Sequence, residues 1–245
     1  MTSRISVVIP VWREGVAIRD IVAALGDDAE IIVVDGDPGG STIAHLDPDT
    51  AQVLIAPRGR ASQMNAGAEI ATGDILLFLH ADTHLPDGAY EQVASTLDDE
   101  ATDIGCFDLR LDDSSRLLAL YSRFINLRTR TSRIPVGDQA IFTRREVFEQ
   151  HGGFPDVPLL EEIILLRRLK RAKHRLQVLD GPVLASARRF LRDGRLRRIL
   201  LNWWIVLLYY LGASPAWLRR LYWHDDLDSP AASTSPNDPT RGVDR

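Results

Sequence analysis

The sequence predicts an α/β protein whose central sheet begins parallel, becomes mixed, and carries helices on its faces. Three observations support this. Strand-like and helix-like segments alternate through the first hundred residues, the order that builds a parallel sheet. The run Ile75-Leu76-Leu77-Phe78-Leu79 is wholly apolar, as in a strand buried on both faces. Beyond residue 100 the alternation changes, so the second half is built differently.

Strands are expected at 5–9, 30–34, 52–55 and 74–79, and helix-like segments at 14–25, 40–46 and 60–71. Further strands are expected near 103–111 and over Gln139–Thr143. Between them, 114–128 carries apolar residues at 117, 120, 121, 124 and 125, which is helical spacing. The apolar stretch 199–212 contains Asn202 and falls short of the roughly 18 apolar residues that cross a bilayer. Residues 225–245 are rich in Asp, Ser, Pro and Thr, a composition that predicts disorder.

Hydrophobic residues make up 45% of the 245, enough for a substantial core. The net charge of −5 gives no global basic footprint, which argues against a nucleic-acid partner. Charge is nevertheless segregated. Acids dominate 20–113 and arginines dominate 116–220, with Lys170 and Lys173 the only lysines. Arginine suits planar capture of phosphate or carboxylate, so an anionic substrate or membrane surface fits, although an arginine-rich genome would give part of the same bias. Cys106 is the only cysteine, which points to a reducing compartment. The N-terminus reads as a strand and not as a secretory signal, so a cytoplasmic location is expected.

Open parallel sheets bind ligands at the carboxyl ends of their strands. His80 and Asp82 follow the apolar run at such an end. Two residues apart on a strand, they point the same way and can face one ion or phosphate. The alternative is that Asp82 only opens a turn. Asp35 ends the second strand before Gly36; it could accept from a base or ribose, or form an ordinary Asp-Gly turn. The first strand runs into Pro10-Val11-Trp12-Arg13-Glu14-Gly15. That excludes the glycine-rich turn of a dinucleotide fold, and no Walker-type loop is present.

The ordered set Val7-Val8-Ile9-Pro10, Val33-Val34-Asp35-Gly36, Asn65-Ala66-Gly67 and Phe78-Leu79-His80-Ala81-Asp82 resembles the signature of glycosyltransferase family 2. Gly137-Asp138-Gln139-Ala140-Ile141-Phe142, Gly152-Gly153-Phe154-Pro155 and Leu160-Glu161-Glu162 continue it, so the resemblance spans about 4–222. Pro57-Arg58-Gly59-Arg60, Gln63-Met64-Asn65 and Asn202-Trp203-Trp204 are similar to a small bacterial subfamily associated with radical-SAM and selenium-related genes. The resemblance implies a GT-A-type, Rossmann-like nucleotide-binding sheet in one domain over 1–224. Its nucleotide-binding half would cover about 1–100 and its acceptor half about 101–224.

It also implies roles. Asp82 would hold a divalent Mg²⁺ or Mn²⁺ against the diphosphate of a UDP- or GDP-linked sugar. His80, in place of the family's first Asp, would touch ribose or phosphate, or be a packed strand-end histidine. Pro10, Glu14, Asp35, Arg58, Arg60, Asn65 and Ala81 map to the donor site. Arg13 stands where the family usually has Asn. Glu162 occupies the position of the general base, with Glu161 as fallback, and both open a helix whose N-terminus favours the ionised form. Arg188 and Arg189, in a partial match to a Gln-x-x-Arg-Trp motif, would reach the diphosphate. Arg130, Arg133, Gly137, Asp138 and Gln139 would belong to an acceptor loop, with 129–137 mobile.

Arginines at 192, 195, 197 and 198 precede Trp203, Trp204, Tyr209 and Tyr210. This pattern over 188–212 fits a peripheral membrane contact at the inner face, a helix closing the core, or a homodimer interface. The function implied is an inverting hexosyltransferase acting on a lipid-linked or small-molecule acceptor. The alternative is a catalytically silent nucleotide-sugar-binding scaffold, because Glu replaces the usual Asp base. A nucleotidyltransferase would need a glycine-rich triphosphate loop after the first strand, which is absent.

Overall fold

The structure is a computed structural model and describes residues 4–222; the predicted disordered tail, 225–245, lies outside them. Strands β1 (Ile5–Val11), β2 (Glu30–Asp35), β3 (Gln52–Ile55) and β4 (Ile75–Phe78) form a parallel half-sheet in the order β3-β2-β1-β4. Beyond β4 follow β7 (Phe142–Arg144), β6 (Ile104–Leu111), β8 (Leu176–Ala185) and β5 (Thr83–His84). The β4–β7, β7–β6 and β8–β5 pairs are antiparallel, and β6–β8 is parallel. The mixed sheet expected from the sequence is therefore present.

Alternating side chains feed two cores. Val7, Ile9, Val33 and Leu77 face α1 (Ala17–Leu25) and α3 (Ala89–Asp98). Val8, Ile32, Val34, Leu76 and Phe78 face α2 (Arg60–Ile70), α5 (Arg145–Gln150) and α6 (Glu161–Arg171). At Gly67 a Cβ would lie 2.4 Å from Val8 Cγ1, so α2 reaches the sheet only because that position has no side chain. The remaining helices are α4 (Arg116–Ser132), α7 (Arg188–Asp193), α8 (Arg195–Tyr210) and α9 (Pro215–Tyr222).

Several expectations need correction. The segment 40–46 is not a helix; only Ile43–His45 makes one 3₁₀ turn. Asp35 explains this, because its carboxylate accepts from the backbone N–H groups of Asp37, Thr42 and Ile43 and closes the segment into a loop. The strand expected over Gln139–Thr143 begins only at Phe142, since Gly137–Gln139 forms a 3₁₀ turn and Ala140 has φ +45°. Helix α4 runs on to Ser132, so the first four residues of the expected 129–137 loop are helical. Helix α3 and strand β8 carry no expectation from the sequence.

Candidate active site

A cleft of about 740 Å³ opens where the loops after β1 and β4 diverge. The strand order reverses there, since β1 lies between β2 and β4; such switch points are where open α/β sheets bind ligands. On the β1 side, Pro10 to Glu14 line the cleft together with Arg58, Gly59 and Arg60. The Arg58 guanidinium sits 3.6 Å from the Trp12 ring centroid, a cation–π stack that fixes its plane. Arg13 has φ +53°, a costly conformation of the sort that accumulates at functional sites.

On the β4 side, His80, Ala81 and Asp82 line the cleft. The β5–β8 pairing and the Ser186 N–H, which donates to the Asp82 carbonyl at 3.0 Å, bring Ser186–Arg189 beside Asp82. Arg188 Nη2 then lies 3.1 Å from Glu14 Oε2 and 3.7 Å from Asp82 Oδ2, joining the two loops. Arg189, Arg192, Arg198 and Arg219 complete a wall in which arginines outnumber acids, suited to an anion with several oxygens.

The third wall is acidic. Leu160, buried and at φ +67°, ends the preceding loop so that α6 starts with Glu161 and Glu162. Both are buried, at 1% and 5% exposure. The Arg60 Nε is 2.7 Å from Glu161 Oε1. His80 lies between two acids: its Nδ1 is 2.8 Å from Asp138 Oδ1, and its Nε2 is 3.8 Å from Glu162 Oε1. Among the described residues, Glu161 Oε2 has no hydrogen-bond partner, while Glu161 Oε1 meets Arg60 and Glu162 Oε1 has only the long His80 contact. At Gly137 a Cβ would fall 2.4 Å from Glu162 Oε1 and 2.8 Å from His80 Cε1. A glycine is what lets the two meet.

Burial works against a charged His80, but the hydrogen bond to Asp138 and the nearby Glu162 carboxylate prevail and raise its pKa to about 9. Partial burial opposes ionisation of Asp138, whose side chain is 48% exposed, yet His80 pulls it down to about 2. Burial and the charge of Glu162 push Glu161 up to about 7, against the pull of Arg60. Burial also opposes ionisation of Glu162, but Arg60 and then His80 hold it below the ordinary range. The environments push two adjacent carboxylates apart, which is how acid and base roles are separated.

Not every expected residue reaches the cleft. Asp35 is fully buried and organises its loop. Asn65 donates to the Phe154 carbonyl and accepts from its N–H, latching the turn after Gly153. Arg130 pairs with Asp108 and Asp180, and Arg133 donates to the Leu176 carbonyl. Gln139 accepts from Thr129 and donates to the Phe107 carbonyl in the core. Of the acceptor-loop residues, only Asp138 lines the cleft, with Gly137 packed beside it.

The sequence reading missed Trp12, Asp156, Arg219 and Tyr222 as cleft residues, and took Arg198 as interfacial. Arg198 is 3% exposed, 3.2 Å from Asp193, and lies over the Tyr222 ring. Its position opposite the apolar stripe of α8 was the available sign.

Among the described residues, no three His, Cys, Asp or Glu side chains are grouped to hold a metal. A donor-bound cation needs less. Mg²⁺ or Mn²⁺ held by one carboxylate and substrate phosphates fits Asp82, a partly exposed carboxylate facing the cleft.

The family described as Glycosyl transferase family 2 matches residues 6–152. That stretch holds the β1 and β4 loops, while Glu161, Glu162 and the Arg188–Arg189 pair lie beyond it. No curated protein matches the chain. The mannosyltransferase PcManGT of Pyrobaculum calidifontis, solved with GDP-Man and Mn²⁺, superposes with a TM-score of 0.61 at 23% identity, over 88% of this chain and 67% of that one. S. aureus TarS 1–349, solved with UDP-GlcNAc, gives 0.57 at 16% identity, over 75% of this chain. This chain spans 58% of that TarS chain's length. Glucosyl-3-phosphoglycerate synthase of Mycobacterium tuberculosis, solved with Mn²⁺, UDP and glucosyl-3-phosphoglycerate, gives 0.55 at 20% identity, over 81% of this chain and 78% of that one. At these identities the likeness shows a shared fold, GT-A.

Proposed function

Because the chain belongs to glycosyl transferase family 2, we propose that it moves a sugar, with inversion, from a UDP- or GDP-linked donor to an acceptor hydroxyl. One observation carries this reading: a buried carboxylate pair, held by Arg60 and His80 and with Glu161 Oε2 lacking a hydrogen-bond partner among the described residues, stands beside an arginine-lined cleft at the switch point of the sheet. In the step, the acceptor oxygen bonds to the anomeric carbon, the bond from that carbon to the diphosphate oxygen breaks, and the acceptor proton passes to a glutamate. The nucleoside diphosphate leaves with the bonding electrons.

Arg58, Arg60, Arg188 and Arg189 hold the diphosphate, and their fixed charges meet the negative charge that develops on it. A divalent cation on Asp82 would supply further neutralisation of that leaving group. Glu14 and Asp82 position Arg188. Asp35 acts on the donor indirectly, by shaping the loop that Glu14 joins through the Thr42 hydroxyl. Glu162 is the base in this reading. Arg60 and His80 keep it ionised, and Asp138 holds His80 in place, so it is ready to accept a proton. A second reading makes Glu161 the base, favoured because Glu161 itself lines the cleft whereas Glu162 sits behind His80.

Thermal-shift measurements with UDP, GDP and their sugars, with and without Mn²⁺, test the donor assignment. A ligand that binds only the native state raises the melting temperature by mass action. A shift with one nucleotide class, larger with Mn²⁺, is expected; no shift with any of them would refute the reading.

A further inference from the structure

Among the described residues one face is apolar and exposed, and the sheet plays no part in it. Along α8, Leu196, Leu200, Trp203, Trp204, Leu207 and Leu211 recur at helical spacing, and each is 46–74% exposed. The opposite side of α8 is already used: Ile199 and Ile205 are buried in the two cores, and Arg198 and Asn202 face the cleft. Closing the core therefore accounts for one side of the helix and leaves the other bare. The bare stripe continues sideways. Phe124 of α4 stacks on Trp203 with ring centroids 4.3 Å apart. Leu120 and Leu127 extend that helix's outer edge, and Trp217 and Leu221 of α9 add to the other side. Contiguous apolar faces of this extent mark an interaction surface.

Charge identifies the occupant. Residues 114–132 and 187–222, which supply all of this face, hold one acid, Asp193, against many arginines, and at its border Asp113 pairs with Arg195 at 2.9 Å. Arg116, Arg123, Arg195, Arg197 and Arg220 are exposed around it. A second copy of the chain would bring arginine against arginine. An anionic bilayer brings phosphates to the arginines and acyl chains to the leucines, with tryptophan and tyrosine rings at the boundary. No described helix is long and apolar enough to cross a membrane, so the contact lies in the plane of the interface. We propose that the α4–α8–α9 face docks the protein on an anionic phospholipid surface. The inner sides of α8 and α9 line the cleft, so docking sets the cleft beside the bilayer. The docking stands apart from the transferase reading and is tested without it.

The test is flotation of the full chain with vesicles of phosphatidylcholine alone and of equal parts phosphatidylcholine and phosphatidylglycerol, without nucleotide. The protein is expected to float with the anionic vesicles and to be released as salt screens the arginines. The triple variant Leu200→Ser, Trp203→Ser, Trp204→Ser should bind them about tenfold or more weakly, because it removes apolar area from the stripe. Arg123→Glu with Arg220→Glu should remove the preference for the anionic lipid. Unchanged melting temperatures establish that the variants are folded. Should one fail to fold, quenching of wild-type tryptophan fluorescence by brominated lipid gives the same answer. Absence of both flotation and quenching would overturn the proposal, as would a wild-type dimer in solution that the triple variant abolishes.

Discussion

Substituting Gly137 by alanine tests whether the His80–Glu162 contact matters for turnover. The added Cβ would sit 2.4 Å from Glu162 Oε1 and 2.8 Å from His80 Cε1. His80 is tied to Asp138 at 2.8 Å, so the freer glutamate end must retreat. Overpacking of this kind costs about 1–3 kcal/mol. In a protein of this size that lowers the melting temperature by roughly 2–4 °C per kcal/mol. A carboxylate displaced by about 1 Å can cost on the order of a hundredfold in rate. Gly67→Ala is the control. Its Cβ would meet Val8 Cγ1 at 2.4 Å, an equally close clash outside the cleft lining. Scanning fluorimetry measures stability, and release of nucleoside diphosphate from the bound donor, with water as acceptor, measures turnover. Both variants should lose stability, and only Gly137→Ala should lose turnover out of proportion to it. Equal turnover in the two variants would refute a catalytic role for the cluster.

Asp82→Ala should abolish the Mn²⁺-dependent part of nucleoside-diphosphate affinity while the fold stays intact; calorimetry giving the same Mn²⁺ dependence as wild type would remove Asp82 from the metal site. Arg188→Ala should weaken nucleotide binding about tenfold with or without metal, the cost of one charge-assisted contact, read by the same titration. Glu161 has a folded pKa raised above its unfolded value by burial and Glu162. Its contribution to stability is therefore complete below about pH 4.5 and lost as pH rises through about 7. Glu161→Gln should remove that slope from denaturant midpoints measured between pH 4.5 and 8, and an unchanged slope would contradict the assignment.

The parallel half of the fold was legible because its strands are short apolar runs flanked by helix-like segments, and periodicity reports burial directly. The loop after β2 was misread as a helix because its conformation depends on the Asp35 side chain, a contact no pattern encodes. His80 and Asp82 were legible as polar residues at a strand end, and the Glu161–Glu162 pair was legible through the family resemblance. What could not be read was which atoms meet. In sequence His80 reads as a donor ligand or as a packed strand-end residue, and 58 residues separate it from the Asp138 that holds it. Arg130 and Arg133 looked like loop residues because the end of α4, capped by Arg133 at φ +57°, lacks a glycine stop. Trp12 and Tyr222 line the cleft through stacking on arginines, which leaves no spacing signature.

The central claim is that this cleft binds a nucleotide sugar and that a glutamate of the α6 pair drives its transfer. The most direct measurement compares wild type, Glu162→Gln and Glu161→Gln in one donor-saturated assay of nucleoside-diphosphate release, with donor affinity measured in parallel. Glu162→Gln should keep donor affinity and lose release by about a hundredfold or more, the range for removing a general base, with a smaller loss in Glu161→Gln. The reverse order would assign the base to Glu161. Donor binding without release in the wild type, or equal release in all three proteins, would contradict the account.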